Sequence, residues 1–316
     1  MRVLILLTLP EPVRAQYYAG LHAKFPDVEF RVADHHSKAA ACAADVDALI
    51  TFGPMLHDDV LKAAPKLKWI QALGTGVDGI VDQPSLRKDI VVTKMHGFHG
   101  VPVSEAAMLA MLALARNLPR AVRSQAARQW DRFPARTLDG KTVGILGVGA
   151  IAETLAPMCK AFGMRVVGLS SAPRVLPGFD EIFHRSDLVR VAADLDYLVL
   201  LTPLTSETRG IVNAEVLGAM KRSAFLVNLA RGGVVDEAAL IAALKENLIA
   251  GAALDVFAKE PLAEDSPFWT LPNVLITPHA GGFFDDYPKH ALPTIEENLR
   301  RFMAGDLDHM LNKVKR

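Results

Sequence analysis

Short apolar runs alternate with stretches of helical periodicity through most of the chain, the pattern of parallel strands joined by crossover helices. In the first third, residues 3–7, 28–32, 48–51, 68–72 and 90–92 read as strands. From about Gly97 the pattern restarts with a helix over 103–117, stopped by Pro119. A strand over 142–146, a helix over 150–162 and strands over 165–169, 197–201 and 225–228 come next. A helix over 237–246 with Asp236 as its N-cap, strands over 252–254 and 274–277, and a helix over 291–304 stopped by Gly305 complete the series. The restart predicts two Rossmann-like α/β domains. The tail helix is expected to return to the first, giving residues 1–96 plus 292–316 and 97–291 as the two domains.

Composition supports a folded chain, with 51% apolar and 22% charged residues over 316 positions. The 35 basic and 35 acidic side chains cancel, so charge supplies no attraction to nucleic acid or to an anionic membrane. Neither is expected as a partner. The two cysteines, Cys42 and Cys159, are too few for a disulfide framework, and a reducing, cytoplasmic setting is expected. The apolar start, residues 3–9, runs into Pro10-Glu11-Pro12 and reads as a buried strand, not a leader. The Ala/Met/Leu stretch over 106–115, far short of a membrane span, reads as a buried or interface helix.

The most informative local feature is TVGILGVGAIA, residues 142–152. A β-branched strand enters Gly147-Val148-Gly149-Ala150-Ile151-Ala152, a G-x-G-x-x-A turn that opens a helix. Gly147 lets the chain turn, Gly149 leaves room for a pyrophosphate, and the small Ala152 lets helix and strand pack closely. The first amides of the helix, Ala150 and Ile151, favour an anion. At the end of the following strand, where a carboxylate usually holds the adenosine ribose, stand Ser170 and Ser171, with Arg174 nearby. Two hydroxyls and a guanidinium suit a 2′-phosphate. NADP(H) is therefore expected in preference to NAD(H).

Farther along lie LLTPLTSETRGIV (200–212), VNLARGGVVDEAAL (227–240), GAALDVFAKEPL (251–262) and LPNVLITPHAGG (271–282), with LGTGVDGI (73–80) upstream. In this order the chain closely resembles the D-isomer-specific 2-hydroxyacid dehydrogenases, among them the glyoxylate and hydroxypyruvate reductases. The resemblance implies a flavodoxin-like substrate domain, a doubly wound nicotinamide-dinucleotide domain and a cleft between them. It implies Arg231, Glu260 and His279 as catalytic residues. Thr202, Pro203, Thr208, Leu229, Ala230, Asp255 and Gly281 fall on the cofactor side. Thr75, Gly76 and Val77 match backbone positions that, with Arg231, hold the substrate carboxylate. The helix near 103–117 resembles the dimer-forming helix of the family, so a homodimer is expected. Ala150, Ser170 and Leu229 depart from the family pattern, as does MHGFHGVP (95–102).

These residue types suit the chemistry. A histidine gives or takes a proton near neutrality, so His279 serves as general acid or base for a small 2-keto or 2-hydroxy acid. Glu260 orients the imidazole and stabilises its protonated form. Arg231 binds carboxylate and carbonyl oxygens together. No metal is required, and His35-His36 and His96/His99 lack the companion ligands of a metal site. The competing reading is a non-catalytic, nicotinamide-sensing, corepressor-like protein on the same fold; turnover separates the two.

Overall fold

A computed structural model describes residues 1–315. The chain forms two compact units, Met1–Phe98 with Asp285–Arg316, and His99–Phe284.

The first unit opens with strand β1 (Arg2–Leu6), helix α1 (Glu11–Lys24), β2 (Glu29–Ala33), α2 (His36–Ala41) and β3 (Ala48–Thr51). Helix α3 (Asp58–Lys62), β4 (Trp69–Ala72) and β5 (Val91–Thr93) follow. All five strands pair in parallel in the order β2-β1-β3-β4-β5, the flavodoxin-like order. Ile5 lies between Val32 and Ile50, and the apolar runs of β1, β3 and β4 are buried, as central parallel strands require. The three helices carry no sequence expectation, because their apolar faces are thin: α1 buries Tyr17 and Leu21, and α2 only Ala39.

The second unit begins with α4 (Gly100–Ala115), α5 (Leu118–Ala126), β6 (Thr142–Leu146), α6 (Ala150–Ala161), β7 (Arg165–Ser170) and β8 (Glu181–His184). It continues with α7 (Leu188–Ala192), β9 (Tyr197–Leu200), α8 (Ala214–Ala219), β10 (Phe225–Asn228), α9 (Glu237–Lys245), β11 (Gly251–Leu254) and β12 (Val274–Ile276). The seven strands are all parallel, in the order β12-β11-β10-β9-β6-β7-β8, which is doubly wound about β6. Alternation divides the core between the two faces. Tyr197 and Val199 join one cluster with Ala107, Met111 and Leu155, whereas Leu198 and Leu200 join another with Leu217 and Leu240. Edge strand β8 escapes a periodicity reading because EIFH is short, polar at both ends and only half-buried.

Three boundaries differ from the sequence expectation for physical reasons. Helix α4 stops at Ala115 because Asn117 turns left-handed (φ 50°). Pro119 then occupies the first turn of α5, where its missing N–H breaks no helical bond. The final helix, α10 (Tyr287–Met303), starts four residues before the expected 291, with Pro288 in its first turn, and belongs wholly to the first unit. The chain's return accordingly falls at 284/285 rather than 291/292. Gly305 adopts φ 75° just beyond the C-cap, the left-handed stop that glycine supplies. Among the described residues no single helix is long and apolar enough to cross a membrane, and α4 packs its Ala/Met face into the core of the second unit.

Candidate active site

Because every strand of the second unit is parallel, the loops after β6, β9, β10, β11 and β12 all emerge at one edge of the sheet, where doubly wound folds bind ligands. The phosphate turn follows β6. Gly147 adopts φ 103°, and a Cβ there would lie 2.5 Å from the Thr202 nitrogen, so only glycine lets the turn pack on the chain after β9. Gly149 caps α6 without a side chain, and a Cβ at that position would meet nothing within 4 Å. The space a pyrophosphate needs is open, and the amides of Ala150 and Ile151 stand at the helix start with no side-chain cap. Ala152 is fully buried against the strand. The turn therefore fits a dinucleotide.

Ser170 ends β7, and its hydroxyl accepts the Ala172 N–H at 3.2 Å; Ser171 beside it is exposed. Arg174 reaches back to the turn. Its Nη2 donates to the Val148 carbonyl at 3.4 Å and to Glu153 in the first turn of α6 at 3.1 Å. After β9, the Thr208 hydroxyl donates to the Pro203 carbonyl at 2.7 Å and accepts the Thr205 N–H at 2.8 Å. This buried hydroxyl folds the 203–208 turn.

Three loops carry the candidate catalytic side chains. After β10, buried Asn228 shapes the turn: its Nδ2 donates to the Arg231 carbonyl at 3.1 Å and its Oδ1 accepts the Ala230 N–H at 3.1 Å. The Arg231 guanidinium donates to the Ala230 carbonyl at 2.6 Å. After β11, Glu260 accepts the Phe257 N–H at 2.9 Å through Oε1. Its Oε2 faces His279 Nδ1 at 2.7 Å. Burial works to raise the Glu260 carboxyl. The bond and charge of His279, the Phe257 amide and the charge of Arg231 outweigh it, holding the group below the usual glutamate range. The bond through Nδ1 leaves His279 Nε2 as the nitrogen that serves a substrate.

Asp255 organises the loop that bears the histidine. Its buried carboxylate accepts the Thr277 hydroxyl at 2.5 Å and the Ala280 and Gly281 N–H groups at 2.9 Å each. Its own carbonyl accepts the His279 N–H at 2.8 Å. His279 itself sits at φ 53°, an uncommon conformation for a non-glycine residue, and these bonds hold it there. Leu229, Asp255 and Gly281 share a cavity of about 160 Å³ with Thr277, Ala280 and residues of α4. Asn228, Glu153 and Thr277 were not singled out by sequence reasoning. The only sequence signal for Asn228 was a polar residue closing an apolar strand.

Thr75, Gly76 and Val77 lie in the first unit, in the loop after β4. The Val77 carbonyl accepts the Ile80 N–H at 3.0 Å, and the Gly76 and Val77 amides donate to no acceptor among the described residues. In the same unit His36 stacks on His57 at 3.8 Å and bonds Asp59 at 2.7 Å. Among the described residues no group of three or more histidine, cysteine or carboxylate side chains is arranged to hold a metal ion.

The family model for the D-isomer specific 2-hydroxyacid dehydrogenase NAD binding domain matches residues 108–281, over half of the chain. The chain belongs to the D-isomer specific 2-hydroxyacid dehydrogenase family. A D-3-phosphoglycerate dehydrogenase of Methanocaldococcus jannaschii is 38% identical over 267 residues, which cover 83% of this chain and 51% of that protein. The chain thus spans about half the length of that relative. A glyoxylate reductase of Pyrococcus furiosus is 34% identical over 273 residues, covering 83% of this chain and 81% of the relative. The solved structure of an NADPH-dependent glyoxylate/hydroxypyruvate reductase from Sinorhizobium meliloti, in complex with NADP and sulfate, is 27% identical. It aligns with a TM-score of 0.83 over 99% of this chain and 98% of that one. Within this family the second unit is the NAD binding domain.

Proposed function

We propose that this protein is an NADP(H)-preferring 2-ketoacid reductase, acting reversibly as a dehydrogenase on small 2-hydroxy acids of the glyoxylate and hydroxypyruvate class. The observation that carries the reading is the 2.7 Å pairing of His279 with Glu260, with the charge of Arg231 acting on the same carboxylate. This acid–base couple emerges at the sheet edge that also bears the phosphate turn. When bound, the nicotinamide supplies the hydride that reaches C2 of the keto acid. His279 gives its proton to the carbonyl oxygen, so that the products are the 2-hydroxy acid and the oxidised cofactor. Glu260 stabilises the imidazolium before transfer, and Arg231 binds and polarises the substrate oxygens. The amides of Gly76 and Val77, which meet no acceptor among the described residues, receive the substrate carboxylate in this reading together with Thr75.

Support for NADP(H) comes from the absence of a carboxylate at Ser170 and from Arg174. That guanidinium is held beside Val148 through Nη2, and among the described residues Nε and Nη1 make no hydrogen bond, which leaves them for a 2′-phosphate. Helices α4 and α5 leave Val101, Leu109, Leu118 and Val122 exposed, the basis for a homodimer. Light scattering tests that assembly. The free thiols Cys42 and Cys159 fit a reducing compartment.

The deciding experiment is turnover of a 2-ketoacid panel with NADPH and with NADH. Reduction of glyoxylate or hydroxypyruvate, with higher kcat/KM for NADPH, is expected. Cofactor binding without turnover would favour the sensor reading instead. In His279→Ala, kcat is expected to fall by about 10²–10⁴, the size of a general acid–base contribution, with cofactor affinity largely kept.

A further inference from the structure

We propose that Tyr287 is a positioning residue for the loop over 74–77, fixing the backbone amides assigned above to the substrate carboxylate. The inference rests on that assignment and names a residue beyond it.

Tyr287 opens α10, fully buried, and its hydroxyl donates to the carbonyl of Leu73, the residue just before the loop. The two residues are 214 positions apart, so no local preference accounts for the contact. The ring is fixed as well. Phe98 meets it edge-to-face at 5.2 Å, and Phe52 lies against it at 5.6 Å. Other contacts hold the loop as well, and the Val77 carbonyl accepts the Ile80 and Val81 N–H groups at its end. Its Gly74 carbonyl accepts the Met95 N–H at 3.1 Å. Beyond its far end, Gly53 and Gly79 meet back to back, where a Cβ on Gly53 would lie 2.0 Å from the Asp78 carbonyl oxygen. The phenol hydroxyl thus adds a side-chain anchor to the start of the loop, whereas its end is set by backbone packing. Burial pushes the Tyr287 phenol well above the usual tyrosine range, so the group stays a donor at every working pH. Amides that bind an anion must be aimed before it arrives, since reaiming them takes free energy from binding.

The test compares Tyr287→Phe with Tyr17→Phe in the full chain. Tyr17 is a control from the same neighbourhood: equally buried and near enough to act on the Tyr287 phenol, with a hydroxyl that has no hydrogen-bond partner among the described residues, so it reports what losing a nearby buried hydroxyl does by itself. In Tyr287→Phe, hydrogen exchange at the 74–77 amides is expected to quicken. KM for the keto acid should rise about fivefold, the size of one neutral hydrogen bond, with kcat and NADPH affinity changed less than about twofold. Tyr17→Phe should change none of these. The proposal is overturned if exchange and KM in Tyr287→Phe stay at wild-type values. It is equally overturned if NADPH affinity falls as much as keto-acid affinity, which would mark a general loosening. A wild-type chain that turns over no keto acid would sink the functional reading alone, because exchange at 74–77 still reports the contact.

Discussion

At the scale of single residues, the site is a set of side chains whose charge states are fixed by their neighbours. Glu260 is the clearest case. Burial opposes its ionisation, yet His279, the Phe257 amide and Arg231 together keep its carboxyl below the ordinary range. A carboxyl depressed by folding adds stability above its unfolded pKa and loses it as pH falls through the folded value. The melting-temperature gap between wild type and Glu260→Gln should therefore be steady at neutral and mildly acidic pH, closing only below the usual glutamate range. Melts at stepped pH check this, and a gap that closed near neutrality would contradict the assigned ionisation. Asp255 acts differently. Asp255→Ala would strip three donors of a buried acceptor, at about 1–3 kcal/mol for each group left unsatisfied, and would loosen the loop on both sides of His279 while keeping the backbone bond to its N–H. Both melting temperature and kcat should fall; a loss of activity at unchanged stability would refute this structural role. Arg231, Glu260 and His279 stand out in the sequence as candidates because family motifs surround them. Asn228 and Thr277 do not: Asn228 acts through bonds within its own turn, which one polar residue at a strand end does not announce, and Thr277 through a bond to Asp255 that forms only when two loops meet.

At the scale of elements, two glycines of one turn make opposite predictions. Gly147 combines a positive φ with close packing on Thr202, so Gly147→Ala should lower the melting temperature. Gly149 has an ordinary φ of −129° and open space where a Cβ would go. Gly149→Ala should fold normally and bind NADPH more weakly, because the new methyl occupies pyrophosphate space. Fluorescence titration beside thermal melts separates the two, and normal NADPH affinity in Gly149→Ala would sink the phosphate assignment. Gly232 is the tightest point of the site. A Cβ there would lie 1.8 Å from the Phe257 backbone carbon, so Gly232→Ala must push the Arg231 loop away from the Glu260 loop. A displacement of this kind is expected to cost about 10² in kcat/KM. Buried strands were readable from their apolar runs, in several cases to the residue. Edge strand β8 and the thin-faced helices α1 and α2 were not, because what stabilises them is mostly the surface they pack on.

At the scale of the whole molecule, the chain leaves its first unit at 98/99 and returns at 284/285. Cofactor binding should stabilise the second unit by mass action, about 2.7 kcal/mol at a hundredfold excess over Kd. At equal concentrations NADPH should raise its melting transition more than NADH, as calorimetry can resolve; the reverse order would remove the case built on Ser170 and Arg174. The amino-acid order by itself determined the alternation of strands and helices, the glycine turn after β6 and the motifs that carry Glu260 and His279. Such features are local or repeat at a fixed period, so neighbouring residues suffice to encode them. Tertiary structure alone decided that Glu153 and Val148 engage Arg174, that Asp255 gathers the His279 loop and that Tyr287 reaches Leu73. Those bonds join residues up to 214 positions apart, and their partners are chosen by where a parallel sheet delivers its loops, which no short window of sequence contains.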